Sequence, residues 1–332
     1  MYRSRRRIGF LVSAALLFVL IIASLMIGSN PIPVSHVLHL LISPDTSFES
    51  TVIHEQRVPR TIVVIIVAAA LGCAGALMQS LTRNPLADPG VLGVNAGASL
   101  AVVLAVAVAG ITSIWFYLWF AFIGAALAAV VVYVLGGAGR SAPTPVRLAL
   151  AGVAVTMAVS SIVQVVILSN RHAFNEFRFW ATGSVEGRGW PVLIAVSGFI
   201  IIGLLLAFAT APSLNALALG DEEGRSLGVR VGLIRTLVMI AVTLLAGAAT
   251  AAVGPIMFIG LGVPYIARFI CGPDQRWVLP FSALSAPVVL LTADIIARII
   301  MAPQELQTGI VTTILGGPFF IAIVRRRRIE SL

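Results

Sequence analysis

Ten apolar runs, at 8–28, 61–81, 93–111, 114–136, 147–169, 191–210, 235–253, 255–271, 279–300 and 308–324, decide what this chain can become. A span across ~30 Å of hydrocarbon takes about 20 mostly apolar residues, and each run is close to that length. Little sequence is left over: 59% of the 332 residues are hydrophobic and 11% are charged. Backbone amides in lipid must be satisfied within their own segment, so the runs are expected to be helices. The expected fold is an all-α polytopic membrane protein of about ten transmembrane helices, forming a single domain over 1–332. The first run follows Arg3, Arg5, Arg6 and Arg7. It is too long for a signal peptide and shows no clear small-residue cleavage site before Asn30-Pro31, so it reads as a retained anchor.

The formal net charge of +9 suggests a nucleic-acid ligand until its distribution is examined. Every basic residue is arginine. With the N-terminus inside and ten spans, the inner side carries arginines 3, 5, 6, 7, 83, 140, 147, 225, 230, 235, 268, 276 and 325–328, and the outer side carries 57, 60, 171, 178, 188 and 298. That asymmetry is the positive-inside pattern and places both termini in the cytoplasm. The charge is topological, and no nucleic-acid partner is expected. The run 325–328 reads as a stop-transfer clamp, with contact to anionic membrane lipid as a secondary role.

Between the runs, three segments stand out. The outer segment 31–60 opens Pro-Ile-Pro and continues as an amphipathic stretch (Val34, Val37, Leu38, Leu41) suited to the membrane surface. The spacing of His36 and His39 there fits an interfacial helix better than a metal pair. The second outer segment, 170–190, mixes Phe174, Phe177, Phe179, Trp180 and Trp190 with charge. It reads either as an interfacial aromatic belt or as a short helix returning toward a pore mouth. On the inner side, 213–232 is the longest polar insertion. It is expected to form two short helices: a leucine/alanine face (Leu214, Leu217 and Leu219 with Ala216 and Ala218) before an acidic patch (Asp221, Glu222, Glu223), a break at Gly224, then 225–229. Such a knob beneath a membrane bundle suits a soluble partner. The chain itself has no G-x-x-x-x-G-K-[ST] phosphate loop.

No catalytic constellation is visible. Asp294 is the only acid expected inside a span, and Arg298 one helical turn later provides a same-face partner. An ion-gradient carrier would be expected to bury more ionisable groups at mid-membrane, and a membrane enzyme would need a nucleophile or metal cluster. Arg57-Val-Pro-Arg60 and Arg298 break the inside bias on the outer side. They read as side chains snorkelling to headgroups, or as a cationic socket for carboxylates of an external partner. Cys73 and Cys271 fall in different spans and are not expected to pair. Small residues (Gly72, Gly75, Ala76; Gly93, Gly97; Gly247, Ala248, Ala249) signal close helix packing in lipid.

Several motifs, in order and spacing, resemble the FecCD-type permease subunits of ATP-binding-cassette importers for iron–siderophores, haem and cobalamin. They are Arg57-Val-Pro-Arg60; Met78-Gln79 with Thr82-Arg-Asn-Pro-Leu-Ala-Asp-Pro-Gly-Val-Leu-Gly93 and Gly97-Ala98; Trp180 with Gly183-Ser184; Leu219-Gly220 and Arg225-Ser-Leu-Gly-Val229; Gly254, Phe258-Ile-Gly260-Leu261 and Pro264 with Arg268; and Glu305, Thr308-Gly309, Gly316 and Phe319. The resemblance runs from about residue 10 to 325. It departs from the family pattern at Tyr265 (commonly His), Gly224 (commonly Ala) and Gln307 (commonly Pro).

The resemblance implies a bacterial inner-membrane permease working by alternating access. A second permease subunit, identical or paralogous, would surround a shared pathway lined by the fifth and tenth spans. Two cytoplasmic subunits would bind ATP and magnesium, and no cofactor is implied in this chain. Coupling to the ATPase would fall on Leu214, Leu217, Leu219, Gly220, Asp221, Glu222, Glu223, Arg225, Ser226, Leu227 and Gly228. A periplasmic or lipid-anchored binding protein would meet Arg57, Arg60 and Arg298. The loop 137–146, with Ser141, Pro143 and Thr144, would form an inner gate.

Overall fold

A computed structural model describes residues 2–29, 32–110, 113–137 and 145–325. Among them the only regular structure is helical: α1 (Tyr2–Met26), α2 (Val34–Ile42), α3 (Phe48–Thr51), α4 (Val58–Thr82), α5 (Val94–Ala109), α6 (Ile114–Gly136), α7 (Pro145–Ser169), α8 (Arg171–Ala181), α9 (Trp190–Ala218), α10 (Asp221–Ser226), α11 (Val231–Val253), α12 (Ile259–Cys271), α13 (Gln275–Ile299) and α14 (Thr308–Arg325). A π-helical stretch, Val52–Arg57, joins α3 to α4 without a break.

Each of the ten apolar runs holds a helix, but the helices are not alike. Seven are long and apolar enough to cross a membrane, while Val94–Ala109, Ile259–Cys271 and Thr308–Ala322 are shorter. At 1.5 Å per residue, α12 rises only about 20 Å. The reason lies in what precedes the short helices. The 3-10 turn Pro89–Leu92 leads into α5, with Pro89 and Leu92 buried. Residues 254–258 leave helical geometry between α11 and α12, with positive φ at Gly254 (76°) and Phe258 (70°). Non-helical backbone at membrane depth is tolerated where protein covers it. Here the Ser184 amide donates to the Val253 carbonyl at 2.8 Å and the Gly309 amide to the Gly183 carbonyl at 2.9 Å.

Packing sorts the helices by side-chain size. The candidate span containing α4 is 83% buried over its most apolar window, against 6% for α1 and 17% for α7. α4 packs on α9, α11, α12 and α13. Its small residues permit this, because in lipid helices associate by van der Waals contact between close backbones rather than by the hydrophobic effect. A Cβ at Gly75 would run into the Gly260 carbonyl, and one at Gly97 into the Gly124 carbonyl. Two buried polar side chains tie helices together: the Gln79 Nε2 donates to the Leu261 carbonyl at 3.1 Å and the Thr250 hydroxyl to Asn95 Oδ1 at 2.9 Å. Cys73 and Cys271 are free and buried.

The segment 213–232 departs from the sequence expectation. Its leucine/alanine face is not a separate helix; it is the last turns of α9, which runs unbroken past Pro212 to Ala218. Gly224 does not break the chain. It lies inside α10, buried against Leu217. The break falls at Gly220, at φ 139° and ψ 159°, a conformation that glycine adopts without the Cβ penalty other residues meet.

Candidate functional site

Two ionic clusters sit at opposite ends of α4. The end carrying Arg57 and Arg60 is termed outer and the end carrying Arg83 inner, following the arginine bias.

The outer cluster begins with α1. The final carbonyls of a helix have no intrahelical partner and carry partial negative charge. Two arginines from other helices satisfy those of α1. Arg57 donates to the Leu25 carbonyl at 3.0 Å and the Met26 carbonyl at 3.1 Å. Arg298 donates to the Ser24 carbonyl at 2.8 Å and the Ile27 carbonyl at 3.1 Å, and to the Ser24 hydroxyl at 3.1 Å. Asp294 has no exposure at all. It accepts from Arg298 one turn later on α13, from Arg60 at 2.8 Å and from the Thr308 hydroxyl at 3.2 Å. Arg60 spends its other terminal nitrogen on Glu305 at 2.7 Å. The cluster therefore pins the outer ends of α1, α4 and α13 and the start of α14 to one point.

This geometry corrects the sequence picture of a solvent-facing socket. Arg57, Arg60 and Arg298 are 5%, 8% and 1% exposed, and each guanidinium is spent on internal acceptors. The Asp294–Arg298 pair was visible from its four-residue spacing. The bond from Arg60 to Glu305 was not, because 245 residues separate them.

The inner cluster is wetter. Asp221 accepts from Arg83 at 2.8 Å and from Arg235 at 2.7 Å. Arg83 also donates to the Leu217 carbonyl near the end of α9 at 2.6 Å. Beside it, the Asn215 side chain donates to Asp274 Oδ1 at 2.6 Å and accepts from the Gln275 amide at 2.8 Å. The residues expected to meet an ATPase thus divide in two. Leu214, Leu217 and Gly224 are buried and Asp221 is spent on arginines, so these hold the knob to the bundle. Glu222, Glu223, Arg225, Ser226 and Gly228 are exposed, with Leu219 at 69% and Leu227 at 63%. The exposed side of the knob thus carries two bare leucines together with charged residues. Arg83 and Arg235 were missed as its anchors because neither lies within a helical turn of Asp221.

Ser141, Pro143 and Thr144 of the expected inner gate lie outside the described residues. Among the described residues no three His, Cys, Asp or Glu side chains gather as metal ligands. His36, expected on an interfacial helix, pairs with Glu49 at 2.6 Å. Near the outer end a cavity of about 300 Å³ opens between the end of α8, the 254–258 segment and α14, lined by Thr182, Met257, Ile310, Thr313 and their neighbours.

Comparison with known proteins places these features in a family. Residues 16–326 match the model of the FecCD transport family. The chain is 43% identical over 315 residues to the ferric enterobactin transport system permease protein FepD of Escherichia coli (strain K12), covering 94% of each chain. It is 40% identical to the Fe(3+)-citrate import system permease protein YfmD of Bacillus subtilis (strain 168), covering 98% of this chain and 97% of that one. It is 37% identical to the hemin transport system permease protein HmuU of Yersinia pestis, covering 82% of each. A solved metal-chelate type ABC transporter in an inward-facing conformation superposes with a TM-score of 0.84 at 24% identity, covering 95% of this chain and 98% of that one. That last likeness bears on the fold alone.

Proposed function

Because the chain belongs to the FecCD transport family, we propose that it carries a ferric siderophore complex, with haem or cobalamin as the alternative cargoes, from a binding protein to the cytoplasm by alternating access. It is a multi-pass inner-membrane permease and performs no bond chemistry; ATP hydrolysis belongs to a separate subunit. In the proposed assembly two permease subunits, identical or paralogous, share the pathway. Two ATPases bind nucleotide and magnesium beneath them, and both termini face the cytoplasm.

The observation that carries the coupling mechanism is the placement of Asp221. Its carboxylate joins α10 to Arg83 at the inner end of α4 and to Arg235 on α11, the two most buried long helices. A displacement of the knob is thereby passed to the core of the bundle rather than absorbed by a loop. Switching needs a bistable element that both sites bias, and the α9–α10–α11 corner is that element. Leu219 and Leu227 make the ATPase contact, and Asp221 transmits it.

Arg57, Arg60 and Arg298 remain the proposed docking group for the binding protein, acting by exchange. Glu305 is the partner nearest the surface, 10% exposed against none for Asp294. A carboxylate of the binding protein would displace Glu305 from Arg60 while Asp294 keeps the cluster assembled.

The test is reconstitution of the permease with its ATPase and binding protein. Asp221→Ala is expected to leave assembly intact, retain basal ATP hydrolysis and lose cargo uptake. Uptake at the unaltered rate in that variant removes Asp221 from the coupling path. Uptake by the permease without ATPase, driven by a proton gradient, would favour a secondary carrier instead.

A further inference from the structure

The knob has a second attachment to the bundle, on α13, that the Asp221 junction does not use. Asn215 lies in the last turns of α9, one turn before Leu219. Its side-chain amide is engaged at both ends: Nδ2 donates to Asp274 Oδ1 at 2.6 Å, and Oδ1 accepts from the Gln275 amide at 2.8 Å. Asp274 is the N-cap of α13 and also accepts from the Arg276 amide at 3.0 Å. The opening amides of a helix have no partner within it. One of those of α13 is satisfied here by a side chain of α9, 60 residues earlier in the chain. Two directional bonds, one of them to a carboxylate, set the distance and the rotation between these helix ends more closely than apolar contact does. The other end of α13 carries Asp294 and Arg298, about 30 Å away at 1.5 Å per residue. Between the two ends α13 lies tight on α4, where a Cβ at Gly72 would strike Ala286 and the Ser282 carbonyl.

We infer that Asn215 and Asp274 are positioning residues that pass the nucleotide state of the ATPase along α13 to the outer cluster, and so set the affinity for the binding protein there. The inference rests on the permease reading above. The route is separate from that of Asp221, which acts on α4 and α11. When the knob is displaced, the last turns of α9 go with it, because Gly224 of α10 is packed on Leu217. The Asn215 amide then draws on the first turn of α13. At the far end Asp294 and Arg298 shift together against Arg60, which changes how firmly Arg60 holds Glu305. Capping alone calls for no contribution from α9, since aspartate is a preferred N-cap residue in its own right.

The test is surface plasmon resonance of the permease–ATPase complex in nanodiscs on immobilised, cargo-free binding protein, without nucleotide and with the ATPase trapped by ATP and vanadate. In the wild type the two dissociation constants are expected to differ by at least about five-fold. Asn215→Asp, which sets two carboxylates against each other, is expected to bring them within about two-fold of one another and to leave the nucleotide-free value unchanged. Asn215→Asp with Asp274→Asn rebuilds all three bonds with donor and acceptor exchanged. It is expected to restore the wild-type difference, and it serves alone should the single variant assemble poorly. Identical constants in the wild type, the result if α13 bends at Pro280 and Pro287 and absorbs the motion, overturn the inference. So does a difference that survives in Asn215→Asp, or an exchanged pair that assembles and shows none. A single variant that shifts both constants equally and lowers the unfolding midpoint marks the pair as a helix cap only, and overturns it as well. ATP-dependent uptake by the wild type is read separately and tests the permease reading on its own.

Discussion

The two ends of α4 solve the same problem, an acid held between two arginines, in opposite ways. At the outer end Asp294 is fully buried and its arginine partners are almost so. At the inner end the Asp221 side chain is 29% exposed and Arg83 35% exposed, although the second partner, Arg235, is only 8% exposed. Burial decides what each arrangement is for. Removing one partner from a buried pair costs about 3–5 kcal/mol, because an uncompensated charge is left in low dielectric. An exposed pair contributes about 0–1 kcal/mol. On the proposed function, the outer cluster would be a clamp that Asp294 keeps assembled while Glu305 exchanges, and the inner cluster would serve as a joint strained and re-formed by a partner pushing on α10.

The largest expected effect tests the clamp. Asp294→Ala strands Arg60 and Arg298 and is expected to cost about 3–5 kcal/mol, read as denaturant unfolding of the detergent-solubilised permease followed by helical circular dichroism. Asp221→Ala, measured in the same way, is expected to cost about 1 kcal/mol. If the two losses are equal, the contrast between clamp and joint disappears.

Glu305→Gln sharpens the comparison from within the outer cluster. It keeps the shape but removes the charge that competes for Arg60. The expected stability loss is about 1 kcal/mol, with a several-fold gain in affinity for the binding protein by surface plasmon resonance. A loss of affinity instead makes Glu305 part of the docking surface and ends the exchange proposal.

The smallest stability effect belongs to the knob's exposed face. Leu219→Asp with Leu227→Asp touches no buried group, so stability should stay within about 0.5 kcal/mol. Co-purification with the ATPase should nevertheless fall sharply. Full ATPase retention would move the contact to Glu222, Glu223 and Arg225.

Which parts were legible in advance follows from the range of the interactions. Hydropathy is a local sum, so the apolar runs could be located, although some helix ends lie six to eight residues from the run's ends, as at Tyr2 and Ala218. The Asp294–Arg298 pair lay within one turn, so it too could be read. The start of α12 at Ile259 rather than 255 was not legible, since the positive φ at Phe258 depends on cover from neighbouring segments. Nor was the continuation of α9 to Ala218, where Arg83, a residue 134 positions away, takes the Leu217 carbonyl.

What the residue order determined by itself is therefore an apolar, helical, arginine-biased membrane chain with one polar knob and a set of family motifs. Each of these depends on neighbours within a turn or two, or on composition. Only the tertiary structure decided which charges face inward. Arg57, Arg60 and Arg298 have the sequence context of outer-side surface residues, yet they finish the carbonyl end of α1 and neutralise Asp294. A guanidinium goes where unsatisfied acceptors are densest, and where those acceptors gather is set by how distant helix ends meet.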